Sequence, residues 1–199
     1  MSKTLLVLVA LFTIGGITSD STVLRDGRDG NEYETLKIGN LTIMAENLNY
    51  DIDGAVCFRN SEDFCQKYGR LYTYQTAMNG LEEEYAKGIC PDGWHIPAEE
   101  EWVYIIRNLQ EGKLVYKENS PASRLLPRNP LQLKFAGTKS PTNDKVFMVG
   151  KKGTYMTSSV KDGKWTVVNF TKKSVGHELT VESKQNLKSG VSCRCIKDE

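Results

Sequence analysis

Trp102, Ile105, Ile106 and Leu109 recur at i, i+3, i+4 and i+7, which is one apolar face of an α-helix. Glu99, Glu100 and Glu101 precede them, where negative charge meets the positive end of the helix dipole. Before the helix, Asp92-Gly93 reads as a tight turn. Trp94-His95-Ile96 reads as a short extended piece that Pro97 ends. The stretch 90–109 thus combines a cysteine, a turn, an extended piece and an amphipathic helix.

Other stretches have strand character. Residues 33–38 (YETLKI) and 41–45 (LTIMA) flank the hairpin signal Gly39-Asn40. Residues 62–68 suit a short helix with Ser61 as its cap and Gly69 as its stop. Residues 71–74 read as extended and 75–78 as a helical turn. Pro121, Pro127 and Pro130 keep 111–131 irregular. Residues 131–135, 154–160, 165–171 and 190–196 read as strands, with turns at 150–153 (GKKG) and 161–164 (KDGK). Strands at both ends with helices between them predict an α+β fold, not a βαβ array.

The first residues follow a different logic. Lys3 precedes an apolar run of ten residues, 5–14, and then Gly15, Gly16, Thr18 and Ser19. This is the pattern of a secretory signal peptide over 1–20, with cleavage between 16 and 21. The run is shorter than the roughly 18 apolar residues that a membrane span needs. No later segment supplies one, so no transmembrane anchor is expected in the mature chain. Residues 21–199 are then the size of one domain.

Export changes how the five cysteines are read: Cys57, Cys65, Cys90, Cys193 and Cys195 suggest a disulfide framework with one thiol left over. There is no CxxC, and the histidines are His95 and His177, so the spacing does not suggest zinc. Cys193 and Cys195 would share one face of a strand. Either one could reach a single partner, and periodicity does not choose between them.

Charge is segregated along the chain. Residues 20–106 hold 7 Lys+Arg against 17 Asp+Glu, and residues 107–175 hold 14 against 4. Either the halves interleave and cancel, or the second presents a basic face to anionic polymers. Nucleic acid is not expected for an exported chain without a binding motif.

Candidate chemistry is sparse. Asp92 with Glu99 or Glu101 could supply the two carboxylates of a glycosidase, yet the dipole already accounts for three Glu at a helix start. There is no G-x-S-x-G and no credible Cys-His pair. His95 faces away from Trp94 and Ile96 and reads as structural. Asp26, Asp29, Asp51 and Asp53 read as turn residues before calcium ligands. Trp94 and Trp102 are assigned to the core. Tyr72, Tyr74, Tyr104, Tyr155 and Trp165 are the aromatics available for stacking on a sugar, although the core claims such residues more often. No cofactor and no metal are expected.

Five stretches, taken in order, resemble one family. They are DGNEYETLKIGNLTIMAENLNY (29–50), YGRLYTYQTAM (68–78), CPDGWHIPAEEEW (90–102), GTYMTSS ending at 159, and CRCIKD (193–198). They resemble the Fibrobacter succinogenes major paralogous domain family of exported bacterial domains, which looks like a relative of the C-type lectin-like fold. The resemblance implies mixed and antiparallel sheets, about two short helices and a long irregular loop region. It implies pairing of 33–38 with the C-terminal strand 191–196. It also implies Cys57–Cys65 and Cys90–Cys195 bridges with Cys193 free. Two positions depart from the family pattern. Ala98 stands where Ser usually caps the helix, a loss of roughly 1 kcal/mol, and Met156 stands where an aromatic is common. The calcium-binding motifs of C-type lectins are missing.

The implied role is a secreted, periplasmic or cell-surface module without catalytic activity, from a fibre-degrading bacterium, that binds carbohydrate or another surface polymer. A structural or adhesive envelope protein with protein partners is the alternative, and a glycoside hydrolase the third reading. The loop region 111–152 is where a lectin-like fold varies its ligand. Lys151, Lys152, Tyr155 and Trp165 are the candidate ligand surface.

Overall fold

The computed structural model describes residues 22–114 and 121–199. The signal-peptide reading, 1–20, falls outside the described residues. In chain order, the first half carries strands Val23–Arg25 (β1), Glu32–Ile38 (β2) and Leu41–Met44 (β3), then helix Glu62–Tyr68 (α1). Strand Leu71–Tyr72 (β4), helix Tyr74–Met78 (α2), strand Trp94–His95 (β5) and helix Glu99–Asn108 (α3) follow. The second half is strands: Lys113–Leu114 (β6), Ser123–Leu126 (β7), Thr138–Lys139 (β8), Val146–Phe147 (β9) and Lys152–Lys161 (β10). Lys164–Lys172 (β11), His177–Gln185 (β12), Val191–Ser192 (β13) and Ile196–Lys197 (β14) complete it.

The strands form a five-stranded sheet ordered β1-β2-β3-β14-β5, a seven-stranded sheet ordered β4-β13-β10-β11-β12-β7-β6, and the pair β8-β9. The ladders are antiparallel except for β10 with β13. The architecture is thus mixed α+β, rich in sheet, with three short helices among the described residues.

Alternate residues of β11 divide between two apolar clusters. Val168 and Phe170 pack with Leu179, Val181 and the α3 face of Trp102, Ile105, Ile106 and Leu109. Trp165 and Val167 join the other cluster, with Met44, Leu48, Tyr72, Met78, Trp94 and Ile96. Each large side chain so buried contributes about 1.5–3 kcal/mol. The bounds of α1 follow the sequence, although Ser61 makes no side-chain cap. Gly69 ends α1 at φ 73°, and a Cβ there would lie 2.6 Å from that of Asn47.

Five points of the sequence reading need correction. The strand read over 190–196 is two. Val191–Ser192 joins the large sheet and Ile196–Lys197 the small one, so residues 193–195 cross between sheets. Residues 33–38 do share a sheet with Ile196–Lys197, but β3 lies between them and β14 pairs with β3 and β5.

Residues 131–135 form no strand. Gln132 has φ 51°, and side chains bind the backbone of the segment. Arg194 takes the carbonyls of Leu131 and Gln132, Asn129 takes Leu133 N and O, and Tyr155 Oη takes Lys134 N and O.

The stretch 111–131 is less irregular than its prolines suggest. Pro121 and Pro127 bracket β7 without entering it, so no ladder bond is lost. Finally, β12 lies beyond the strands read from the sequence, although Leu179 and Val181 alternate there with Glu178, Thr180 and Glu182.

Candidate functional site

The motif Met156-Thr157-Ser158-Ser159 forms an irregularity in β10, where the register against β11 shifts between Met156 and Val160. The shift frees backbone groups, and side chains from three other segments bind the freed carbonyls. Trp102 Nε1 donates to Met156 O at 3.1 Å, Trp165 Nε1 to Thr157 O at 2.7 Å, and Tyr74 Oη to Ser158 O at 3.2 Å. Ser158 N donates to Pro97 O at 2.8 Å, and Tyr85 N to Ser158 Oγ at 3.0 Å. Ser159 Oγ accepts Glu99 N at 2.9 Å and donates to Glu84. Lys161 Nζ reaches Glu99 Oε1 at 2.7 Å, which joins the basic half of the chain to the acidic half. This network is structural, and it uses up much of the chemistry that the sequence offered.

Tyr155 and Trp165 leave the candidate ligand surface, because both are 0 % exposed. Tyr155 holds Lys134 through its hydroxyl, and Trp165 anchors the irregularity. A ring without free surface cannot stack on a sugar. Lys151 is exposed beside the turn and makes no ion pair among the described residues. Lys152, expected at the same turn, begins β10 and is half-buried; burial lowers its pKa.

The carboxylates are similarly committed. Glu101 accepts Ala98 N at 2.9 Å and His95 Nε2 at 3.0 Å, while His95 Nδ1 lies 2.7 Å from Asp198. Burial works against the imidazolium, yet the two carboxylates hold its pKa above the usual value. Asp92 is exposed and pairs with Lys87. Asp26 is buried; burial pushes its carboxyl up, and Arg28 outweighs that and holds it low. Asp51 pairs with Arg70 at 3.0 Å. Asp26, Asp51, Asp92 and Glu101 thus stand in pairs with Arg28, Arg70, Lys87 and His95. Cys57 is bonded to Cys65 and Cys90 to Cys195, and Cys193 is a buried free thiol.

A cleft of about 620 Å³ opens beside α2. Tyr74, Met78 and Leu187 line it together with Leu81 and Pro141, and Glu82, Lys139 and Lys188 bring charge. Tyr74 is half-buried, and its hydroxyl bond to Ser158 and edge contact with Trp165 at 5.3 Å fix the ring. Lys139 is held by Asp144 at 3.3 Å and by two backbone bonds to Gly190. Of this lining, sequence reasoning singled out Tyr74 alone. The others come from separate segments near 80, 140 and 187, and no local pattern links them.

No curated protein and no solved structure matches the chain. The model of the Fibrobacter succinogenes major domain matches residues 22–197. That span contains both sheets, both disulfides and the cleft. The chain belongs to the Fibrobacter succinogenes major domain family.

Proposed function

We propose that this domain is a non-catalytic binding module of the cell exterior, that its ligand is a carbohydrate or another surface polymer, and that the cleft beside α2 receives it. The cleft carries the reading. A fixed tyrosine ring and aliphatic side chains can pack on a sugar face, and polar groups at the rim can orient it. Two disulfides suit an oxidising compartment. On this reading the N-terminal run directs export. The fold is then a relative of the C-type lectin-like fold, with first and last strands in one sheet and Cys195 bonded to Cys90 in the loop before β5.

Pull-down of the purified full chain on cellulose, xylan and polygalacturonate tests the reading. Retention on at least one polymer, lost in Leu187→Asp, is the expected result. A Lys151→Glu, Lys152→Glu arm at low and high salt tests the basic edge as a second contact, since exposed charges act over about 8 Å at physiological salt. No retention on any polymer contradicts the reading and favours an envelope protein with protein partners.

A further inference from the structure

The crossover 193–195 brings three sulfurs together. Cys90, Cys193 and Cys195 are 0 % exposed, and their Sγ atoms all lie within 4.8 Å of one another. Cys193 Sγ stands 3.9 Å from Cys195 Sγ. A cation bound by three thiolates at about 2.3 Å in a trigonal plane places its sulfurs about 4.0 Å apart. The unbonded pair therefore already has the spacing of a metal-bound pair. A fourth sulfur is adjacent, since Cys195 N donates to Met44 Sδ at 3.3 Å. Arg28 brings positive charge beside the group by donating to Ile89 O, one residue before Cys90, at 2.8 Å.

We propose that Cys90, Cys193 and Cys195 form a three-thiolate site for one soft cation of the copper(I) type when the Cys90–Cys195 bond is reduced. A dithiol breaks that bond, is itself oxidised to its disulfide, and passes its two protons to Cys90 and Cys195. One Cu⁺ then displaces three thiol protons to solvent. An all-sulfur donor set selects soft metals, and coordination deprotonates a thiol even where burial opposes its ionisation. The oxidised domain is closed to the metal because two of its three ligands are bonded to each other. The spacing of the cysteines in sequence does not reveal this site, since Cys90 lies 105 residues from Cys195.

The test uses the full chain carrying Cys57→Ser and Cys65→Ser, which removes the other thiol pair. The protein is reduced with a dithiol, which is removed under oxygen-free conditions, and then titrated with chelator-buffered copper(I). One copper per chain is expected, with thiolate-to-copper absorption in the near ultraviolet. Addition of Cys193→Ser or Cys193→Ala should weaken binding by about tenfold or more, since even outer-shell changes cost 10–100-fold. Near-ultraviolet circular dichroism reports whether the reduced chain keeps its packing. Copper affinity unchanged by both Cys193 substitutions overturns the proposal. So does absence of binding, or a reduced chain that loses its packing and does not regain it with copper.

Discussion

Ser159 caps helix α3 from another element: its hydroxyl accepts Glu99 N at 2.9 Å. The helix has Ala98 at its N-cap, which offers no acceptor. The strand irregularity therefore supplies what the helix sequence omits, and helix and sheet are stabilised together. Ser159→Ala should lower the unfolding free energy by about 1 kcal/mol. Ala98→Ser should stabilise by a similar amount in either background, because an N-cap hydroxyl takes the N–H of Glu100 or Glu101 and Ser159 takes that of Glu99. Urea unfolding of the four combinations measures both effects. A gain from Ala98→Ser only where Ser159 is absent would show that the two caps compete for one N–H.

His95 couples the C-terminus to α3 through Asp198 and Glu101. Its folded pKa lies above the unfolded value of about 6.5, so the folded state binds the proton more tightly. The contribution is fully present below pH 6.5 and is lost as pH rises through the folded pKa. Unfolding free energy should therefore decline as pH rises above 6.5. In His95→Gln that decline should be shallower. Urea midpoints across pH 5.5 to 8.5, as a working range of about three units around the imidazole value, decide the matter.

Arg194 is 1 % exposed, and its guanidinium donates to Asn47 Oδ1 and to the carbonyls of Met44, Leu131 and Gln132. A lysine cannot reproduce that planar fork. Arg194→Lys should cost about 3 kcal/mol or more, since bonds to charged groups are worth about 1.5–3 kcal/mol each. The segment 129–135 should then become the first site of limited proteolysis. A variant cleaved first elsewhere, with stability unchanged, would remove Arg194 from this role.

The two disulfides should contribute unequally. Cys57 and Cys65 are 8 apart in sequence, and Cys90 and Cys195 are 105 apart. Loop-closure entropy assigns them about 2.5 and about 4.7 kcal/mol. Cys90→Ala should therefore destabilise more than Cys57→Ala, and non-reducing peptide mapping of the parent should recover Cys90 joined to Cys195. The reverse order of stabilities would mean that local strain, not chain entropy, governs these bonds.

Periodicity located α3 and its buried face, the β2–β3 hairpin, and the pair β10–β11, because in each the pattern that packs is local. The split of 190–196 between two sheets was not legible. Val191-Ser192-Cys193-Arg194-Cys195-Ile196 reads as one strand until the acceptors of Arg194, which lie near 47 and 132, are known. Tyr155 and Trp165 illustrate the same limit at the site. Their type suggested a sugar platform, while their burial follows from partners 21 and 8 residues away. β12 was missed although Leu179 and Val181 alternate with polar residues there, because the charges around it obscured the signal.

The most direct test of the cleft as the binding site is an amide NMR titration of the full chain with soluble cello-, xylo- and galacturono-oligosaccharides. The account predicts saturable shifts from one of these ligands, concentrated at Tyr74, Gly80, Lys139, Leu187 and Lys188, and abolished by Leu187→Asp. Saturable shifts concentrated away from these residues, or no saturable shift from any of the three, would contradict it.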